Sequence, residues 1–109
     1  MNTLRKKLSQ RLRELAVVER AWPGRDDGFA SLEFNGVEFA HFHTWCEIDI
    51  RLGKVTIRRE GLIHPPESKV HPGRSKNSPW YEMRIDSAED VDEAVRLVKL
   101  AVAEIGSGA

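Results

Sequence analysis

Asn35-Gly36 constrains this chain more than any other pair of residues, because it lies between two segments of alternating polarity, Ala30-Ser31-Leu32-Glu33-Phe34 and Val37-Glu38-Phe39-Ala40-His41. Two consecutive residues tolerant of positive φ are what a two-residue type I′ hairpin requires, and the alternation on either side has the period of a half-buried strand. That turn also fixes the register, pairing Phe34 with Val37, Leu32 with Phe39 and Ala30 with His41, all on the buried face. The same period puts His43 beside His41 on that face, with Glu33 and Glu38 on the other.

The flanking segments read in the same way. Leu4, Leu8, Leu12 and Leu15 form an apolar stripe on a helix over 3–16, with Arg5, Lys6, Arg13 and Glu14 outside it. Val17-Val18-Glu19-Arg20 predicts a short first strand, and the breaker-dense run Trp22 to Gly28 predicts a loop. Cys46 to Leu52 alternates as a further strand, with Cys46, Ile48, Ile50 and Leu52 inward, Glu47, Asp49 and Arg51 outward, and His43 opposite Cys46. Residues 55–60 fit either a short helix or a strand. Residues 64–79 carry four prolines and a glycine and predict an irregular loop, longer than most connections in a compact domain. Trp80 to Ile85 is a last strand, with Trp80, Glu82 and Arg84 on the outer face. A helix then starts at Ser87 in a capping-box-like pattern with Asp90 and runs to about 105 on Val91, Ala94, Val95, Val98, Ala101 and Val102. The expected fold is α+β: two layers, an antiparallel sheet of four or five strands with both terminal helices on one face, the other face wet. One domain is expected over 1–109.

Seventeen basic residues balance seventeen acidic ones, so net charge steers the chain neither to nucleic acid nor to an anionic membrane. The balance hides blocks: net +5 over 1–25, −6 over 26–50, +5 over 51–76 and −4 over 86–109. Such alternation suits elements that attract one another, while the two basic blocks jointly define the alternative function, an interaction module for nucleic acid or protein. One cysteine excludes an intramolecular disulfide and an all-cysteine zinc site. With neither an apolar run of spanning length nor a signal-peptide pattern, a cytoplasmic protein with no membrane partner is expected. Walker, GxGxxG and GxSxG motifs are absent from the sequence.

Chemistry concentrates in a few side chains. His41 and His43, two apart on a strand, place their imidazoles on one face about 7 Å apart. With Cys46, and His71 or His64 from the loop, they compose a conceivable His₂Cys or His₃ metal site. The preferred expectation is instead a metal-free polar pocket between the sheet and the 64–79 loop, with no cofactor, in which histidines bind or protonate a small ligand. The loop run Lys69 to Ser78, with Lys69, Arg74 and Lys76, suits a phosphate or carboxylate. Trp45 and Trp80 are candidate pocket walls. The expected ligand-binding set is His41, His43, Asp49, His71, Arg74 and Trp80.

Phe39-Ala40-His41-Phe42-His43, followed by Asp49-Ile50-Arg51-Leu52, resembles the F-x-H-x-H … D-[IL]-x-L core of the luciferase-domain family. His64-Pro65-Pro66 through His71-Pro72, Ser78-Pro79-Trp80, and Ile85 with the acidic helix start Ser87 to Val91 extend the likeness over roughly 15–103. The family comprises small bacterial proteins similar to the fungal luciferases. The resemblance implies a site drawing on His41, His43, Asp49, His71 and Trp80. If it extends to chemistry, it implies metal-free oxidation of an aromatic pyrone in an apolar pocket, with histidines as acid and base. The chain is much shorter than a fungal luciferase.

Overall fold

A computed structural model describes residues 3–63 and 78–107. The elements run α1 (Thr3–Glu14), β1 (Val18–Ala21), β2 (Ala30–Phe34), β3 (Val37–Thr44), β4 (Glu47–Arg51), α2 (Lys54–Arg59), β5 (Trp80–Arg84) and α3 (Ala88–Gly106). Every strand pairs antiparallel with the next, giving one five-stranded meander in the order β1-β2-β3-β4-β5. The fold is α+β, as expected, and residues 54–59 are helical rather than extended.

The Asn-Gly turn forms as the sequence predicts: Asn35 and Gly36 have φ of 51° and 78°, and Phe34 pairs with Val37. The register then departs from the expectation. Glu33 pairs with Glu38, but Leu32 pairs with Ala40, Ser31 with His41 and Ala30 with Phe42. A bulge leaves Phe39 without a partner, and a single extra residue exchanges the two faces of everything beyond it. Leu32 therefore does not face Phe39, nor Ala30 His41. Ala40 and Phe42 turn toward the helices, and His41 turns away from them. The physical reason is burial: the shift seats Ala40 and Phe42, each 0 % exposed, against Leu32, Ile48 and Ile50. Withdrawing a phenyl ring from water contributes roughly 1.5–3 kcal/mol that an imidazole at the same place does not match.

The core lies between that face and the helices. Leu8 and Leu12 of α1, and Val91, Ala94, Val95, Leu97, Val98 and Ala101 of α3, close over Leu32, Ala40, Phe42, Ile48 and Ile50. α3 begins at Ser87, whose hydroxyl accepts the Asp90 N–H at 3.1 Å, while Asp90 accepts the Asp86 N–H at 2.9 Å. The helix passes slightly beyond the expected end, through Gly106 to a cap at Ser107. Arg11 of α1 pairs with Asp92 of α3.

Arg5, expected outside the α1 stripe, is buried. Its guanidinium lies 3.4 Å from the Phe42 ring centre and donates to the carbonyls of Gly28 (2.9 Å) and Thr44 (3.2 Å) and to Glu19 (3.2 Å). Burial lowers its pKa, with Glu19 acting in the opposite direction. The side chain thus ties α1 to the 22–29 loop and to the β3–β4 turn. Among the described residues, no helix is long and apolar enough to cross a membrane.

Candidate functional site

The face of the sheet away from α1 and α3 is not the wet surface expected. Cross-strand partners set Ser31 on β2, His41 on β3, Asp49 on β4 and Glu82 on β5 in one row. Ser31, Asp49 and Glu82 are buried, Asp49 at 1 % exposure. Asp49 reaches this face as the outward phase of Glu47-Ile48-Asp49-Ile50-Arg51 requires. His41 reaches it only because of the bulge at Phe39.

A second irregularity places His43. Phe42 pairs with Ile48 and Thr44 with Glu47, so His43 is the extra residue on β3 at which the register with β4 shifts. The expected pairing of His43 with Cys46 does not occur. A bulge bends the strand and raises its twist, which re-aims the side chain it carries. The two imidazole rings lie 4.6 Å apart, centre to centre, at 89° to each other. Both direct Nε2 toward Asp49, each 3.6 Å from the same Oδ2.

Aromatic rings border the group. Trp80 is 5.1 Å from His41. It is set by Pro79, whose carbonyl accepts the N–H groups of Leu52 (3.0 Å) and Gly53 (2.9 Å) and so ties the end of β4 to the start of β5. Phe29 stacks beside His41 at 5.8 Å and meets His43 edge-on at 6.0 Å. The 22–29 loop holds Phe29 through several contacts. Trp22 packs edge-to-face on it at 5.3 Å and donates its indole N–H to Ser31 at 2.9 Å, and the Arg25 guanidinium lies 4.3 Å above it. Gly28 has φ of 88°, and a Cβ there would stand 2.6 Å from the Trp45 backbone nitrogen, so glycine alone lets the loop approach the β3–β4 turn.

Of the expected site residues, His41, His43, Asp49 and Trp80 come together. They gather on the face opposite to the one expected for the histidines. His71 and Arg74 lie outside the described residues, as do His64 and the 64–77 part of the expected loop. Cys46 does not join: among the described residues, the donor group within 4.8 Å is His41, His43 and Asp49. Residue 46 has the inward phase of Ile48 and Ile50, and its sulfur contacts the Thr44 hydroxyl at 3.7 Å. Trp45 stands apart as well, 5.3 Å from the Arg5 guanidinium, beside a groove of about 430 Å³ along α1. Phe29, Ser31 and Glu82 belong to the site without having been expected there.

Chemically, the arrangement offers two imidazoles, each able to donate or accept a hydrogen bond, a buried carboxylate beside them, and flat aromatic surfaces next to both. A family model described as Luciferase domain matches residues 36–101, which contain both bulges, His41, His43, Asp49 and Trp80. The match is narrower than the 15–103 likeness read from the sequence. No curated protein and no solved structure matches the chain.

Proposed function

The chain belongs to the luciferase-domain family, and from that premise we propose that it binds a small aromatic or anionic molecule at the His41–His43–Asp49 group. The observation carrying this reading is the convergence of both imidazole Nε2 atoms on one buried carboxylate oxygen, at 3.6 Å each, between the rings of Phe29 and Trp80. Rings of that kind offer a planar ligand edge and face contacts, worth about 0.5–1.5 kcal/mol per well-placed pair beyond buried area. His41 and His43, side by side next to Asp49, hydrogen-bond the polar part of the ligand. His71 and Arg74 join this proposal as anion-binding groups supplied by the 64–79 segment. The protein is taken to be cytoplasmic, in a reducing compartment where Cys46 stays a thiol.

Ion pairing disfavours the alternative of a nucleic-acid module. In the first basic block Arg5, Arg11, Arg20 and Arg25 pair with Glu19, Asp92, Glu33 and Asp27, so much of the charge available for phosphates is already compensated.

Thermal-shift screening against small aromatic carboxylates and phosphate esters tests the reading. Hits are expected to raise the Tm of the wild-type protein and to lose that effect in a His41→Gln/His43→Gln variant, with His71→Ala and Arg74→Ala weakening anionic hits selectively. A wild-type protein that responds to nothing, or a double variant that responds equally, overturns it.

A further inference from the structure

We propose that His41, His43 and Asp49 hold a divalent first-row transition metal ion, of the zinc or ferrous class, through two imidazole nitrogens and one carboxylate oxygen. The proposal rests on the reading above in using the same three side chains, and it adds what they grip.

Distance supports it first. Each Nε2 stands 3.6 Å from Asp49 Oδ2, and one donor atom from each residue lies within 4.8 Å of the others. A nitrogen–oxygen separation of 3.6 Å is too long for a hydrogen bond between these atoms. An ion bound at about 2.0–2.1 Å to imidazole and 2.0–2.2 Å to carboxylate holds tetrahedral ligand atoms about 3.4 Å apart. The N–O separations therefore sit within a few tenths of an ångström of what a shared ion requires.

Orientation supports it second. The rings are perpendicular, at 89°, so they present Nε2 from two directions around a common point. Regular strand geometry would leave residues two apart with side chains about 7 Å from each other. The bulge at His43 brings the ring centres to 4.6 Å.

Chemistry selects the ion. Two nitrogen donors and one oxygen suit zinc or iron(II) over the oxygen-seeking calcium and magnesium. Asp49 is 1 % exposed, and Glu82, also buried, is its cross-strand partner on the same face. Among the described residues the group offers three donors, the number that a zinc site which binds or transforms a ligand takes from the protein. Phe29 and Trp80 pack against the same imidazoles.

The test uses the full chain, stripped with a chelator and titrated with zinc chloride by calorimetry and with cobalt(II) chloride by visible absorption. The expected result is one ion per chain and cobalt bands of a low-coordinate nitrogen–oxygen site. Affinity should fall at least about 100-fold in His41→Gln, His43→Gln and Asp49→Asn, since even groups that only support a metal ligand contribute 10–100-fold. Far-UV circular dichroism of the metal-free variants identifies those that fold, and the single histidine variants carry the test if Asp49→Asn does not. No saturable binding below millimolar metal, or folded variants that bind like wild type, overturns the proposal. Organic-ligand binding that persists in chelator-treated protein while no metal binds defeats this proposal and leaves the proposed function standing. Metal binding by a protein that answers no organic ligand does the reverse.

Discussion

The two faces of one sheet differ in what holds them and in what they can do. On the helix side, Leu32, Ala40, Phe42, Ile48 and Ile50 are fully buried under α1 and α3, and each residue contributes mainly by filling space. On the other side, residues of the same strands are polar or aromatic, and what matters is where their donor atoms point. Substitutions should therefore separate stability from binding according to face.

The largest stability effect is expected for Phe42→Ala, at about 3–5 kcal/mol by urea denaturation, because the ring is 0 % exposed and also carries the Arg5 guanidinium. A loss below about 1 kcal/mol would mean that the helix side is not the tighter one. Gly28→Ala should follow. It strains a residue at φ of 88° and meets Trp45 backbone at 2.6 Å, for a loss of about 1–3 kcal/mol and a displaced Phe29. The check is urea denaturation together with the Phe29 ring resonances. His41→Gln and His43→Gln, at side chains 20 % and 18 % exposed, should each change stability by less than about 1 kcal/mol while removing metal and ligand binding. A large stability loss with binding intact would reverse the comparison.

The smallest effect belongs to neither face. Arg96 holds the Glu60 carboxyl below its usual pKa through a 2.6 Å contact at the surface. Its folded pKa is depressed, so the stability it adds is present above the ordinary carboxylate range and fades as pH falls through the lowered value. Tm differences between wild type and Glu60→Gln, taken from neutral to acidic pH, should be small and should vanish at the acidic end.

The elements were legible in the sequence because each rests on local chemistry. Asn35-Gly36 dictates its own turn, Ser87 its own cap, and the valine stripe its helix face. The bulges were less legible, because a bulge is decided by what two strands bury together. Val37 and Phe39 keep the odd phase apolar, in step with Phe34 and Leu32, and favour the uninterrupted register. The phase then changes: Phe39 and Ala40 are adjacent apolar residues, Phe42 continues the even phase, and His41 and His43 fall on the odd one. That phase change was the available signal for the exchange of faces. The extra residue at His43 left none, since Thr44-Trp45 reads equally well as a tight turn. The alternation of Glu47 to Arg51 puts Asp49 on its observed face, but nothing local joins it to the histidines. Phe29 is hidden because its place depends on Gly28 fitting against Trp45 and bonding Arg5, both distant in sequence.

The most direct test is a nuclear Overhauser spectrum of the assigned imidazole and aromatic protons. The account predicts cross-peaks from the His41 ring to the rings of His43, Phe29 and Trp80, with none to the side chains of Leu8, Leu12 or Ile50. Contacts from either imidazole to those core side chains would contradict it, because both histidines would then lie beneath the helices, away from Phe29 and Trp80.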